Sequence, residues 1–406
     1  MAKISKGIKK NDSRVLISDI LPYELPPTFS NAGFYRFAQR VNLSISDQSC
    51  LMTRPSRASV AAIKIIFSPT NFTVSQNNSR RLFRMDSGHK SIWKFTEPFQ
   101  YSIRHKQNDF RTLTIPHPLS QLEIVNFYRK FESSLLFFTD RSSFSLRKPI
   151  KVAPYAIVVD RLFLGREGER DFVEEYGNEY SWLRSYFSYG RYSNVYKFYE
   201  SRDFRQLETS FDFLLKLDIA KCFDSIYTHS IAWAAHGRSY VKSNLGSLKG
   251  TFGDSFDVVM RNMNHNETSG ISIGSEASRL FAEVVLQALD VEIERKLDRR
   301  GIRSGIDFVI LRYVDDYFVF LTDQRLAPQI TAVIESTLQA YKLHLNPRKQ
   351  QVEETPLASG ISLAKHEFNS ALSDQLSAGV YGEGHDVFRI VPRGVVEFVS
   401  SSGQSH

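Results

Sequence analysis

Hydrophobic positions fall into separate strand-like and helix-like stretches along this chain of 406 residues, most sharply beyond residue 210. Phe213-Leu214-Leu215-Lys216-Leu217-Asp218-Ile219 is short and mostly apolar, which predicts a buried strand ending on a carboxylate. From Ala220 to Ile226 the apolar residues take helical spacing, so Asp218 sits where a strand hands over to a helix or turn. Ile306-Asp307-Phe308-Val309-Ile310-Leu311 and Tyr317-Phe318-Val319-Phe320 predict two strands joined by a tight turn, with Asp315 and Asp316 at its tip. Ser275 to Arg300 predicts a long helix. Ala277, Leu280, Phe281, Val284, Ala288 and Val291 form its apolar stripe, Arg295 to Arg300 its basic end, and Gly301 its stop. Ala327 to Leu343 predicts a second amphipathic helix.

Upstream the pattern is less regular. The Pro-rich patch Leu21–Pro27 reads as a segment that wraps a surface. From about residue 45 to 200, short strands alternate with basic, aromatic-rich loops: Arg80-Arg81-Leu82-Phe83-Arg84, Lys90-Ser91-Ile92-Trp93-Lys94-Phe95 and Tyr186-Phe187-Ser188-Tyr189-Gly190-Arg191-Tyr192. Cations beside aromatic rings suit phosphates and unpaired bases, although core rings and solvated charges explain any single cluster equally well. There is no internal repeat, heptad array or low-complexity tract, and the last ~55 residues carry no clear motif.

Composition narrows the setting. With 31 Phe and 18 Tyr the chain reads as folded, in about two to three domains. Lys and Arg number 52 against 44 acids, a net +8 that suits a polyanionic partner. Cys50 and Cys222 give no metal-site spacing, and a reducing cytosol fits. Met1 to Arg14 lacks the apolar stretch of a signal peptide, and no run approaches the ~20 apolar residues that span a bilayer. The expectation is a soluble cytoplasmic protein without a membrane partner.

The acids carry the chemistry. Two carboxylates close together repel and resist desolvation, so adjacent acids between apolar strands are costly. At a hairpin tip, two hard anionic oxygen donors suit a divalent cation such as magnesium. Alone, Tyr313-Val314-Asp315-Asp316 suits a solvated turn as well, and Asp218 a strand-end cap. Together, two acid-bearing strands can lie side by side in one sheet and hold two cations. Cations about 3.5–4 Å apart clamp the attacking and leaving oxygens of a phosphoryl displacement.

Leu217-Asp218 with Phe223 five residues on, Gly270 to Ser275 opening a helix, Tyr313 to Asp316, and Leu343-His344-Leu345-Asn346-Pro347-Arg348-Lys349 resemble, in that order, the palm motifs of reverse transcriptases. The wording of Cys222 to Ile231, with Leu21–Pro27 and Phe29-Ser30-Asn31, resembles the bacterial defence-associated, abortive-infection branch, which has a retron- and intron-type palm. The resemblance implies an α+β right-hand polymerase. Its parts would be an amino-terminal extension at 1–45, fingers at 46–200, an RRM-like antiparallel-sheet palm at 201–352 and a short thumb-like region at 353–406. It implies Asp218 and Asp315 as ligands of two magnesium ions, with manganese as an alternative. Asp316 would support them, as would the backbone carbonyl of Ile219. Phe223 would lie under the sugar of the incoming nucleotide and exclude a 2′-hydroxyl. Gly274 would belong to the motif that positions template and nucleotide, where Ser272-Ile273 replaces the usual Pro-Gln and puts ordinary templating in question. Arg111, in Arg111-Thr112-Leu113-Thr114-Ile115-Pro116, would grip the triphosphate, with charge added by Arg104 and Lys106. Lys349 would face the departing pyrophosphate. Without the resemblance, solvated cations and a core Phe223 are the plainer readings, and Arg147 and Lys148 have no assigned role.

The leading expectation is a reverse transcriptase joining dNTPs by two-metal chemistry. By resemblance it would act in antiphage defence with a dedicated non-coding RNA. Its partners would be that RNA, the DNA product, and a second protein or another copy of the chain. An untemplated or protein-primed polymerase of the same branch, and a retron or mobile-element enzyme, stay open. Phe223 argues against an RNA-dependent RNA polymerase, and retention of all three acids against an idle RNA-binding scaffold.

Overall fold

The computed structural model of the chain describes residues 12–26, 29–46, 49–53, 56–67, 72–77, 82–87, 95–106, 109–153, 185–192, 194–244, 246–355, 357, 387–390 and 396–399. The chain divides into two compact units, residues 1–354 and 355–406. In the second, Val387–Ile390 and Val396–Val399 pair as an antiparallel hairpin. Within the first, the elements around the site run β1 (Phe99–Lys106), β2 (Asp109–Ile115), α1 (Pro118–Phe138), β3 (Phe213–Asp218) and α2 (Phe252–Asn262). They continue with α3 (Glu276–Asp298), β4 (Phe308–Tyr313), β5 (Asp316–Leu321), α4 (Leu326–Gln339) and β6 (Gln351–Glu354).

Four of these strands form one sheet in the order β4-β5-β3-β6, antiparallel throughout. The nearly continuous apolar runs of β3, β4 and β5 follow from burial on both faces, whereas β6 is a polar, largely exposed edge. On one face, Phe318 packs on Phe198 with ring centroids 5.7 Å apart, and Phe320 on Phe204 at 5.8 Å. On the other, Tyr317, Val319 and Leu321 join the main core, which includes α3. A second aromatic layer ties the helices together: Phe127 of α1 lies 4.4 Å from Phe256 of α2, which lies 4.9 Å from Phe281 of α3. A separate four-stranded sheet occupies residues 44–87.

Both predicted helices form, with instructive differences. Ser275 caps α3 by accepting from the Ser278 N–H at 3.1 Å, and Gly301 follows with φ of +75°. The stripe read from periodicity is too narrow, because α3 is buried on nearly every side from Glu276 to Gln287. The second helix stops at Gln339 rather than Leu343. Lys342 takes a left-handed φ of +65° and the Leu343 N–H returns to the Leu338 carbonyl at 3.0 Å, a helix-ending turn that keeps Leu343 in the core without extending the helix.

The Pro-rich patch does wrap a surface. Pro22 is buried against Gly274, where an added Cβ would lie 2.6 Å from Pro22 Cγ and where φ is +130°. Tyr101 of β1 donates to the Glu24 carbonyl at 2.7 Å. The β1–β2 hairpin in turn docks on the loop before α3, with both the N–H and the hydroxyl of Thr114 donating to the Ile273 carbonyl at 3.0 and 3.1 Å.

The basic-aromatic reading of residues 186–199 needs correction. Tyr186, Phe187 and Phe198 are fully buried. Tyr186 donates to Glu132 at 2.7 Å, and Arg147 caps the Tyr189 ring at 4.1 Å. These rings supply core because the strand and helix that carry them pack inward, and of the stretch Tyr196 alone, beside Lys197, keeps a largely exposed ring. Arg80, Arg81 and residues 90–94 lie outside the described residues, as does the Lys106 side chain. Among the described residues no helix is long and apolar enough to cross a membrane.

Candidate active site

Strand register brings the acids together. Asp218, the last residue of β3, pairs directly with Asp316, the first of β5, while Tyr313 pairs with Asp316 to close the hairpin. Val314 and Asp315 are therefore the two turn residues, and the Ile219 N–H donates to the Asp315 carbonyl at 3.2 Å. Val314 has φ of +57°. That position in a hairpin turn favours glycine, and a β-branched residue there stores roughly 1–3 kcal/mol of strain.

Arg312 holds this turn from below. It is fully buried, and each of its five N–H donors has an acceptor. Nε and Nη2 reach Asp290 Oδ2 at 2.9 and 2.8 Å; Nη1 and Nη2 reach Glu283 at 2.9 and 3.2 Å. The remaining Nη1 donor goes to the strained Val314 carbonyl at 2.8 Å. Tyr317 completes the set by donating to Asp290 at 2.9 Å. Burial opposes the charge on Arg312, but Asp290 and Glu283 outweigh it and raise its pKa. These residues were missed in the sequence. The signal was there: Glu283, Gln287 and Asp290 make a polar stripe in the apolar middle of the helix, from Leu280 to Val291, alongside an arginine inside an apolar strand.

The site is short of positive charge. Burial and the neighbouring Asp218 charge raise the pKa of Asp315. Burial, Asp315 and Asp218 push Asp316 up to about 7. Lys349 is the nearest relief. Its Nζ lies 2.7 Å from Asp218 Oδ1, a contact that raises the pKa of the lysine. Asn346 donates to Asp218 Oδ2 at 3.1 Å, and its N–H to the Asp218 carbonyl at 2.8 Å.

Among the described residues, no three acidic, imidazole or thiolate groups converge as a ready-made cation cage. The donor set nevertheless fits magnesium, which is commonly held by one or two carboxylates with waters and substrate phosphates rather than by an all-protein cage. Asp218, at the end of β3, and Asp315, in the turn beside it, are the candidate carboxylates.

The remaining candidates are distributed around this centre. Arg111, exposed on β2, lies close enough to lower the pKa of Asp315. Phe223 is half-buried on the short helix after β3, and its carbonyl accepts from the Ile271 N–H at 2.9 Å. Gly270 permits this approach, since an added Cβ would lie 2.9 Å from the Asp224 carbonyl oxygen. Ile219 bridges Leu345, with the bonds on either side made by Asp218 and Ala220. Its own N–H, and with it the side of the strand bearing the Asp315 turn, faces away from Leu345. Gly274 meets Pro22. Arg104 is exposed on β1, opposite Phe110. Arg147 pairs with the buried Glu276 at 2.8 Å, and Lys148 pairs with Asp140 at 2.5 Å. Burial, then Asp315, pushes the Cys222 thiol up, so it is no nucleophile.

Residues 184–369 match the family model described as reverse transcriptase (RNA-dependent DNA polymerase). No curated protein matches the chain. Among solved structures, the chain is similar to apo telomerase from Candida tropicalis truncated from its C-terminal domain, at 14% identity and TM-score 0.37, covering 71% of this chain and 60% of that one. It is also similar to telomerase from Candida albicans in complex with a fragment of telomeric RNA, at 13% identity and TM-score 0.37, covering 73% and 50%. The chain thus spans less than two thirds of either telomerase chain. The family match, on a small antiparallel sheet with helices, gives the expected α+β right-hand polymerase fold.

Two outcomes follow from the electrostatics and the clamp. Asp316 has a folded pKa raised above its unfolded value, so the folded state binds more protons between about pH 4 and 7, and stability falls as pH rises through that window. Asp316→Asn is expected to flatten that fall and raise the cation-free melting temperature at about pH 8; a steeper fall would contradict the crowding. Arg312→Met leaves Glu283 and Asp290 buried without a cation and is expected to cost about 3–5 kcal/mol in denaturant unfolding.

Proposed function

We propose that the reverse transcriptase domain of residues 184–369 makes this chain an RNA-directed DNA polymerase that joins deoxynucleotides by magnesium-dependent phosphoryl transfer. The observation that carries the reading is the direct pairing of Asp218 with Asp316 beside the Asp315 turn, which concentrates three carboxylates at the ends of neighbouring strands.

Magnesium bound there would neutralise the developing charge and clamp the attacking and leaving oxygens. The protein's share is positioning and charge. Asp218 and Asp315 hold the cations, Asp316 supports them, and the Ile219 carbonyl is a further oxygen donor on the same strand end. Arg111 and Lys349 supply positive charge, Arg111 to the triphosphate and Lys349 to the leaving pyrophosphate. Lys349, its Nζ 2.7 Å from Asp218 Oδ1, brings a positive charge to the edge of the carboxylate cluster. Phe223 closes the sugar side and favours deoxynucleotides.

The finer assignment is a cytoplasmic enzyme of the bacterial defence-associated branch, with a dedicated non-coding RNA. It is supported by the wording of Cys222 to Ile231, by the Leu21–Pro27 segment and by the net charge of +8. A second copy or another protein would complete the nucleic-acid groove, since the net charge of +8 is modest and Tyr186, Phe187 and Phe198 are turned inward.

Asp218→Ala and Asp315→Ala are each expected to abolish labelled dNTP incorporation by the purified chain; wild-type rates in either would overturn the reading. Phe223→Ala is expected to admit ribonucleotides that the wild type rejects. Equal use of rNTPs and dNTPs by the wild type would shift the reading to RNA synthesis.

A further inference from the structure

The strap Leu21–Pro26 is anchored by two contacts that do not use its largest side chain: Pro22 on Gly274, and the Glu24 carbonyl on Tyr101. Tyr23 lies between them with its residue surface 71% exposed. The Arg279 guanidinium sits 5.0 Å from the Tyr23 ring centroid, itself oriented by Glu276 at 3.2 Å. Most of the ring therefore stays open to solvent on a segment fixed at both ends, with a cation beside it. An exposed ring next to an arginine is the combination on which unpaired bases stack.

Its place in the cleft decides what could stack there. The hairpin has two electrostatic flanks. The cations that act on Asp315 are Lys349 and Arg111. On the other flank Arg147 and Arg279 line one small cavity with Val314 of the turn, and Arg279 is the cation that carries the Tyr23 ring. Triphosphate charge belongs on the first flank, with the carboxylates and their cations. The strap borders the second flank, through Arg279 and the Gly274 loop, and so lies clear of the triphosphate side. A stacking contact there reads no particular base, which suits a template whose sequence varies.

We infer that Tyr23 is a stacking platform for the first unpaired template base ahead of the catalytic turn, held in place by Pro22, the Glu24 carbonyl and Arg279. Its function is to fix the template strand before each addition. This makes Tyr23 a template-positioning residue, and it rests on the polymerase reading above.

The test uses the full chain and a DNA primer annealed to an RNA template carrying 2-aminopurine as its first unpaired base. Wild type and Tyr23→Phe are expected to change the probe's fluorescence on binding. Tyr23→Ala is expected to lose that change and to lower kcat/KM for dNTP addition about tenfold, with an unchanged melting temperature. Moving the probe two positions further along the template should remove the dependence on Tyr23. Binding and extension with identical fluorescence in wild type and Tyr23→Ala would overturn the stacking while leaving the polymerase intact. Failure of the wild type to bind or extend any primer–template would overturn the polymerase reading, and the stacking with it.

Discussion

Crowded negative charge at the ends of two neighbouring strands is the constraint around which this protein is organised. Asp218 and Asp316 face each other across one register position, and Asp315 occupies the adjoining turn. Burial raises the cost of ionising Asp315 and Asp316, Asp218 adds to it for both, and Asp315 adds to it for Asp316. A stable fold would not ordinarily assemble such a cluster. Its surroundings hold it in place: a fully satisfied buried arginine beneath the turn, a lysine and an asparagine on Asp218, and strands packed on both faces. Positive φ at Val314 belongs to the same pattern, since strain survives where neighbouring contacts over-determine it.

The buried network and the cluster are linked by chemistry as well as by position. Arg312 neutralises Glu283 and Asp290 in the interior and donates its last N–H to the turn carbonyl. The hairpin is therefore fixed through its backbone, without using the Asp315 and Asp316 carboxylates for the clamp. On the substrate side, the β1–β2 hairpin and the amino-terminal strap both dock on the loop that opens α3, through Thr114 and Pro22. Arg111 and Tyr23 are carried by the elements that make these two attachments.

Much of the centre was legible in the sequence because it depends on local pattern. An apolar run ending on Asp218, and a second pair of runs around Asp315 and Asp316, specify strands whose side chains can only alternate one way. Register then follows from the hydrophobic faces. What the pattern hid depends on long-range packing. The Arg312 network joins residues on α3 and β4, and no short-range period distinguishes buried polar groups from exposed ones. The buried rings Tyr186, Phe187 and Phe198 misled for the same reason: Tyr186 beside basic residues reads as a nucleic-acid face until Glu132, 54 positions away, is found at its hydroxyl. The end of α4 was missed because Leu343 keeps the helical period while the backbone turns at Lys342.

If charge crowding is the organising constraint, a divalent cation must stabilise the folded chain, and removing one charge must do part of the same work. The decisive measurement is the melting temperature of the full chain at about pH 8 with and without magnesium, for the wild type and Asp315→Asn. Magnesium is predicted to raise the wild-type value. Asp315→Asn is predicted to melt higher than the wild type without magnesium and to gain little when it is added. An unchanged wild-type melting temperature on adding magnesium, together with a lower one for Asp315→Asn, would contradict the account.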